Sequence, residues 1–488
     1  MDSIWTINNN IKSFPTLDNS IKTDVLIIGG GMAGILSAYM LKQKGIDYTL
    51  IDSGRIGSGV TKNTTAKITS QHHLIYQKLL KSYGKEYTRQ YALANEDAIK
   101  MYKTVINEEK IQCHFESIPA YLYSTINDKS LNKEYNAATQ IGLKCSLTKQ
   151  TTLPFPVKSA LRFDNQAQFN PLEFIAHISK DLNIFENTAA LAIDKHTVLT
   201  SRGTIQADQI ILAAHFPFIN FPGYYFIRMH QERSYVIALE DVPRLDGAYL
   251  GVDSSRHSLR SYNNCILLGG SPHRTGKNGQ GKKYTGLIQA ARNFYPGSQN
   301  FWQWSAQDCM THDSIPYIGR FSSKIDNLYT ATGFNKWGMS SSMAAAMILS
   351  DEISGKTSPY PVFSPSRNNL IPSLKGLAVD TATSASGLIK QKLKIPFKKL
   401  KGIPMGHGGI IRYQGRKTGI YKSPEGKVYM VSVKCPHLGC ELSWNPDELS
   451  WDCPCHGSRF DYKGNKINNP AQNNLPKLLR VTESEMKL

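Results

Sequence analysis

The chain has 488 residues, 41% hydrophobic and 19% charged, a composition that excludes a disordered or low-complexity chain and leaves room for two or three folded domains. Lysine and arginine outnumber aspartate and glutamate by 57 to 38, a formal charge of +19. That charge favours anionic partners. No nucleic-acid motif accompanies it, so nucleic acid is set aside, while an acidic redox partner and an anionic membrane surface stay open.

The opening stretch MDSIWTINNNIKSFP lacks a basic start followed by an apolar core. No uninterrupted apolar run reaches the length of about eighteen residues needed to cross a bilayer. The expectation is a cytoplasmic protein without a transmembrane segment, with peripheral contact at the inner membrane face left open. The first strand is predicted at Asp24–Ile28 (DVLII), followed by Gly29–Gly34 (GGGMAG), a helix from Ile35 to Lys44 and a strand at Tyr48–Ile51 ending on Asp52. Helical patterns recur at 71–82, 86–108 and 171–182. Strands are expected through 187–270, with examples at Gln209–Ala214 and Ile266–Leu268, and a last helix at Ser341–Ile353. The stretch 356–400 carries Pro359, Pro361, Pro365 and Pro372, then the basic run Lys390–Lys401, and reads as a linker. From Lys401 onward, short strands alternate with Gly/Pro turns.

Gly29, Gly31 and Gly34 form G-x-G-x-x-G between strand and helix. The first glycine permits the tight turn, the second lets the backbone approach a pyrophosphate, and the third lets the helix pack on the strand. The helix N-terminus offers amides and a positive dipole end to the phosphates. Asp52, eighteen residues after Gly34, is placed to bind ribose hydroxyls. No second strand–glycine–helix fingerprint is found; Gly279–Gly281 follows no apolar strand. A separate NAD(P)H domain is therefore not expected.

The segments DSIPYIG (Asp313–Gly319) and NLYTATGFNKWGM (Asn327–Met339), with the small-residue helix that follows, resemble the C-terminal flavin-binding segment of D-amino-acid-oxidase-like (DAO) flavoenzymes. The resemblance spans roughly 20–355. It implies FAD, an α/β Rossmann-like FAD-binding domain (parts 20–75, 155–220 and 305–355) and an inserted antiparallel substrate domain (parts 76–154 and 221–304). The flavin-contacting positions it implies are Thr64, Thr65 and Lys67 in the block Gly57–His72, then Gly333, Phe334, Trp337, Gly338 and Met339. Ala190 falls near the adenine. His215 departs from the pattern, standing where many relatives have glycine. Some relatives attach flavin through a cysteine; the spacing of Cys309 to Asp313 does not match theirs, so noncovalent FAD is expected.

Four of the eight cysteines fall within 435–455. The other four, Cys113, Cys145, Cys265 and Cys309, read as buried small hydrophobes. Cys435-Pro-His437 is followed, after fifteen residues, by Cys453-Pro-Cys455-His456. Two thiolates suit one iron and two imidazoles the other, the Rieske [2Fe–2S] arrangement. The alternative is a Cys₂His₂ zinc site, whose cysteines normally come as C-x₂₋₄-C. Strands at Glu441–Trp444 and Leu449–Trp451 would bring the ligand loops together. Residues 402–488 resemble Rieske proteins of the cytochrome bc type, and the domain is taken as 401–488. The resemblance implies a disulfide between Cys440 and Cys455 and a sulfur donor at Ser458; the position of its tyrosine donor holds Phe460. That loss implies a potential below respiratory Rieske proteins and above four-cysteine ferredoxins. A Rieske oxygenase is not expected, because no histidine follows His456.

The whole chain resembles bacterial FAD-dependent oxidoreductases with a C-terminal Rieske domain. The expectation is a dehydrogenase that oxidises a C–N bond in an amine or amino acid. Electrons would pass from FAD through the cluster to an external acceptor, a protein or quinone. Arg233, Tyr235, Arg256 and Arg260 are candidates for holding a substrate carboxylate. No catalytic acid or base is identified; His215, His230 and His257 read as structural. The alternatives are an electron carrier without a small-molecule substrate and a membrane-surface adaptor using Lys390–Lys401.

Overall fold

The computed structural model describes residues 2–7, 10–254, 257–367 and 400–482. They divide into two units: Met1–Gly223, Ser234–Ser271 and Tyr284–Pro372 form the first, and Tyr224–Arg233, Pro272–Lys283 and Ser373–Leu488 the second.

The first unit contains an eight-stranded sheet in the order Tyr317–Ser322, Ile325–Thr332, Thr204–Leu212, Ile21–Ile28, Tyr48–Ile51, Ile184–Phe185, with the hairpin Ala190–Asp194/Thr197–Thr200 beside Thr204–Leu212. The central strands are parallel: Val25 faces Tyr48 and Gln209, and Ile210 faces Leu328. A parallel sheet covered on both faces needs continuous apolar strands, and Val25 to Ile28 are all buried. The expected βαβ unit is present, with its helix at Met32–Gln43. Helix Gly338–Ile353 packs against it, its buried Ser340–Ala346 stretch small enough for close approach.

A nine-stranded sheet follows the order Gln299–Thr311, Met229–Glu240, Cys265–Arg274, Ser258–Tyr262, Ala248–Gly251, Glu116–Ser124, Ser159–Gln168, Lys67–Ile68, with Ser146–Thr148 beside Ser159–Gln168. The expected division at 155 therefore moves. Ser159–Gln168 pairs with Glu116–Ser124 and belongs to the nine-stranded sheet. Gln299–Thr311 belongs there too, although its second half was expected in the FAD part. The expected helices 71–82 and 86–108 are both present, as the two parts of Ile75–Glu108 on either side of a kink at Gly84, where φ is 75° and ψ −178°. Helices Lys129–Gln140 and Lys283–Phe294 were not anticipated.

The expected linker 356–400 begins late. Arg367 forms a buried ion pair with Asp313 at 2.7 Å, stacks over Tyr317 and donates to the carbonyls of Ile315 and Pro316. Residues 368–399, with most of the basic run, lie outside the described residues. Among the described residues no helix is long and apolar enough to cross a membrane.

The second unit holds two antiparallel four-stranded sheets. One is Gly408–Tyr413, Arg416–Lys422, Lys427–Ser432, Lys477–Thr482; the other is Ser443–Asn445, Ser450–Asp452, Arg459–Asp461, Lys466–Asn468. The expected hairpin is present, Trp444 facing Trp451. Its core includes Val431, Val433, Leu442, Trp451, Phe460 and Leu475. Two segments from far upstream, 224–233 and 272–283, fold with this unit.

Candidate cofactor sites

In the first unit, the start of the helix Met32–Gln43 is pressed onto the strand ahead of it. A Cβ on Gly34 would lie 1.8 Å from the carbonyl oxygen of Gly29, and one on Gly29 would lie 2.6 Å from that of Ala213. No side chain fits at either point. Gly31 differs: a Cβ there would approach only Thr61 Oγ1, at 3.5 Å. The open side of the turn is thus the side at which a pyrophosphate would meet the helix N-terminus. Asp52 closes Tyr48–Ile51 and accepts from the amides of Gly30 (2.7 Å) and Gly54 (2.8 Å). Burial raises its pKa, against the pull of these two bonds. The Thr188 amide donates to the carbonyl of Asp52 at 2.8 Å, which brings the chain leading to Ala190 alongside the acid.

The segment after Asp52 carries Thr64 and Thr65, and Lys67 at the start of the strand Lys67–Ile68. Trp5 donates to the carbonyl of Thr64 at 2.7 Å, and Arg260 donates to that of Ala66 at 2.8 Å. Lys67 hydrogen-bonds Ser258. Burial, then the charge of Arg260, lowers the Lys67 ammonium to about 7. Arg260 itself is fully buried, lies over the rings of Trp5 and Tyr262, and leaves Nε and Nη2 without hydrogen-bond partners. Burial lowers it to about 9.

The segment Gly333–Met339 turns sharply into the last helix. Gly333, Asn335 and Lys336 have φ of 73°, 50° and 75°. Asn335 holds the turn, donating to Gly333 O at 2.7 Å and accepting from the Thr311 amide at 2.8 Å. Phe334 is partly buried against the core, Trp337 precedes Gly338 at the helix start, and Met339 is buried. His72, which the sequence reading did not single out, stacks on Trp337 with centroids 4.7 Å apart and planes at 13°. Its ring nitrogens meet Tyr91 Oη and Thr69 O, each at 2.6 Å. Burial lowers its pKa to about 3, so the ring is neutral. Both glycine turns lie at the C-terminal ends of parallel strands, where open α/β sheets bind ligands. His215 adopts a φ of 64°, a region that favours glycine and that histidine tolerates better than most side chains. Cys309 donates to the carbonyl of His215 at 3.4 Å.

Two sequence candidates are corrected. Arg233 is paired through both ends of its guanidinium with Glu448, both nearly buried, so it is committed to a protein carboxylate. Tyr235 is fully buried and packs edge-on against Tyr284 at 4.9 Å; it is a core residue. Charge and aromaticity alone could not reveal either partner. Arg256 lies outside the described residues. Of the dispersed cysteines, Cys145 is half-buried rather than buried.

In the second unit, the two ligand loops close in the same way. The Cys435 amide donates to Cys440 O and the Gly439 amide to Cys435 O, at 2.8 and 2.9 Å. The Cys453 amide donates to Ser458 O and the Gly457 amide to Cys453 O, at 2.8 and 3.0 Å. Gly439 and Gly457 have φ of 79° and 81°. The repeat C-P-x-x-G is the sequence trace of this shared turn. Cys435 and Cys453 lie side by side, sharing a hydrogen bond that lowers Cys435 and raises Cys453; the Ser458 hydroxyl also bonds Cys435. The rings of His437 and His456 are perpendicular, 4.9 Å apart. Burial lowers them to about 4 and about 3, the neutral form that binds metal. Nδ1 of His456 is buried without a hydrogen-bond partner, as a nitrogen reserved for iron would be. Cys440 and Cys455 form a disulfide. Their sulfurs lie within 4.8 Å of Cys453, but bonded to each other they offer no thiolate. The donor set is two thiols and two imidazoles, which fits a [2Fe–2S] cluster. Phe460 is fully buried and contributes no donor.

A dinucleotide cradle in an α/β unit, together with this pocket in an all-β unit, defines a flavin-dependent oxidoreductase with a Rieske iron–sulfur domain. The chain belongs to the FAD dependent oxidoreductase (DAO) family, which it matches over residues 24–352, and residues 396–479 match the Rieske [2Fe-2S] domain. It is 38% identical to the putative Rieske 2Fe-2S iron-sulfur protein YhfW of Bacillus subtilis (strain 168), over 96% of each chain. Among solved structures it resembles L-proline dehydrogenase from P. horikoshii (TM-score 0.60, 17% identity, covering 72% of this chain and 98% of that one). It also resembles glycine oxidase from Geobacillus kaustophilus (TM-score 0.59, 16% identity, 71% and 99%). The protein is thus an FAD-dependent oxidoreductase with a Rieske domain that binds FAD and a [2Fe–2S] cluster.

Proposed function

We propose that the protein is a dehydrogenase acting on the C–N bond of a small amine or amino acid, with electrons leaving through the Rieske cluster to an external acceptor, a protein or quinone. Bound FAD supplies hydride acceptance and release of single electrons, and a bound cluster carries one electron at a time. The observation that carries the reading is the pairing, in one chain, of one dinucleotide cradle with one cluster pocket. Among the described residues there is no second strand–glycine–helix cradle for a nicotinamide. We place the reaction in the cytoplasm, with any membrane contact at the inner face.

The chain's own residues have distinct tasks. Gly29, Gly31, Gly34 and Asp52 hold the adenosine diphosphate portion. Thr64, Thr65, Lys67, Gly333, Phe334, Trp337, Gly338 and Met339 line the flavin end. Arg260, with two unspent nitrogens beside Lys67, is the remaining candidate for a carboxylate. Such a carboxylate would be held best while Lys67 is charged. The affinity of a simple carboxylate inhibitor should therefore fall as pH rises through about 7, the value to which Lys67 is lowered, and K67M should flatten that dependence. A pH series of flavin difference titrations checks this.

The main test mixes anaerobic holoprotein with a panel of amines and amino acids. Flavin bleaching followed by cluster reduction is expected. If no compound bleaches the flavin while a small redox protein reduces the cluster rapidly, the chain is an electron carrier and the dehydrogenase reading fails.

A further inference from the structure

Arg274 ends the strand Cys265–Arg274, some 180 residues before the second ligand loop, yet it belongs to the same unit as that loop. Its Nε lies 3.3 Å from the carbonyl oxygen of Pro454 and its Nη2 3.4 Å from that of Cys455. Gly276, two residues on, packs so tightly on the loop that a Cβ would lie 2.6 Å from the nitrogen of Pro454. One residue further along the loop, buried Gln231 donates to the carbonyls of His456 (2.7 Å) and Asn469 (3.2 Å). Three consecutive carbonyls of the loop thus receive donors from the two upstream segments.

In a trans peptide the N–H points opposite to the C=O. The Pro454 carbonyl shares its peptide with the Cys455 amide, and the Cys455 carbonyl shares its peptide with the His456 amide. Those two amides are the ones that hydrogen-bond the sulfur of Cys453. The guanidinium and the ligand sulfur therefore sit at opposite ends of the same two peptide dipoles. A cation at the oxygen end polarises each dipole, strengthens the N–H at the sulfur end and stabilises negative charge there. Hydrogen bonds to cluster sulfurs and nearby charge are what set the potential of such a centre.

We propose that Arg274 is a positioning residue that raises the potential of the cluster by polarising the two peptides that donate to Cys453, with Gln231 fixing the loop beside them. It supplies, from outside the Rieske sequence, part of the electrostatic support that Phe460 does not. The proposal rests on the presence of the cluster and not on the direction of electron flow.

The test is a spectroelectrochemical titration of the cluster in full-length holoprotein at one fixed pH, comparing wild type with R274K and R274Q. Iron and FAD content are measured on the same samples. R274Q keeps donors but loses the charge. Its reduced-to-oxidised ratio at a fixed poise is expected to fall about tenfold, about 59 mV for a one-electron couple. R274K should fall between it and wild type, and the flavin potential should not move. A merely structural role would lower iron content or melting temperature without shifting the potential of the clusters that remain. R274Q with full iron content and a wild-type potential overturns the proposal. If R274Q assembles no cluster, R274K decides: a potential below wild type supports the proposal, and one at or above it overturns it.

Discussion

The two ligand loops of the cluster pocket share a closure pattern and differ in what backs them. The first, 435–440, presents Pro436 and Leu438 to solvent, Leu438 with 47% of its surface exposed. The second, 453–458, exposes none of its residues to that degree and rests on Gln231, Arg274 and Gly276. Equal hydrogen bonding within each loop therefore does not mean equal rigidity. The first loop is held by its own turn, the disulfide and the ring of Phe226 set edge-on to His437, and the second is also backed by Gln231, Arg274 and Gly276. Rigidity on one side and exposure on the other suit a centre that must keep its ligands placed and still reach a partner.

The strongest way to break this asymmetry is to remove the anchor ahead of the second loop. Arg233→Met would strip Glu448, 10% exposed in its side chain, of the guanidinium that pairs with both of its carboxylate oxygens. The cost should be about 3–5 kcal/mol, as for other buried pairs deprived of one member. It would appear in urea unfolding followed by cluster absorbance, with flavin fluorescence as the control for the first unit. A smaller effect separates the two glycines. At Gly439 a Cβ would meet only the end of the Lys434 chain at 3.2 Å, whereas at Gly457 it would strike Gln231 Cβ at 2.6 Å. G439A should cost about 1 kcal/mol from the left-handed backbone alone, and G457A about 2–3 kcal/mol once the overpacking is added. Equal losses in the same assay would erase the distinction between the loops. The smallest effect concerns the protein stripped of iron. Hydrogen exchange should speed up in the amides of 437–439 more than in those of 455–458, by about tenfold, since Gln231, Arg274 and Gly276 still back the second set.

Much of the fold was legible because its signals are local. DVLII-GGGMAG and YTLI each carry strand, turn or helix information within a few residues, and C-P-H-L-G-C repeats the glycine of C-P-C-H-G-S at the same spacing. The cluster ligands could be named for that reason. The helix Lys129–Gln140 was missed because KSLNKEYNAATQ buries only Leu131, Glu134, Ala137 and Ala138, a stripe with a charge in it. Glu134 is there because its carboxylate takes the amides of Tyr76 and Gln77 (2.7 and 3.0 Å) at the start of the long helix, a contact no local pattern announces. The supports of the second ligand loop were invisible for the same reason. Gln231, Arg233 and Arg274 look like ordinary polar residues on strands, and Arg233 was assigned to a substrate because the sequence holds no sign of Glu448 opposite it. Ser458 and Phe460 stand within a few residues of the second ligand loop's cysteine and histidine, so both were visible in the sequence.

The membership of 224–233 and 272–283 in the cluster unit bears on how such proteins can be altered by recombination. A Rieske sequence from another protein, grafted after residue 399, would bring its own ligands but meet Gln231, Arg233, Arg274 and Asn278 with surfaces not shaped for them. Asn278 alone contacts both Asn445 and Asp447, each at 2.9 Å. The two halves of the chain should therefore be inherited and diversify together, with substitutions at these upstream positions tracked by changes at Gly457, Glu448 and Asp447. The fusion is then no interchangeable cassette, since the boundary between its parts is drawn through the middle of the chain as well as near its end.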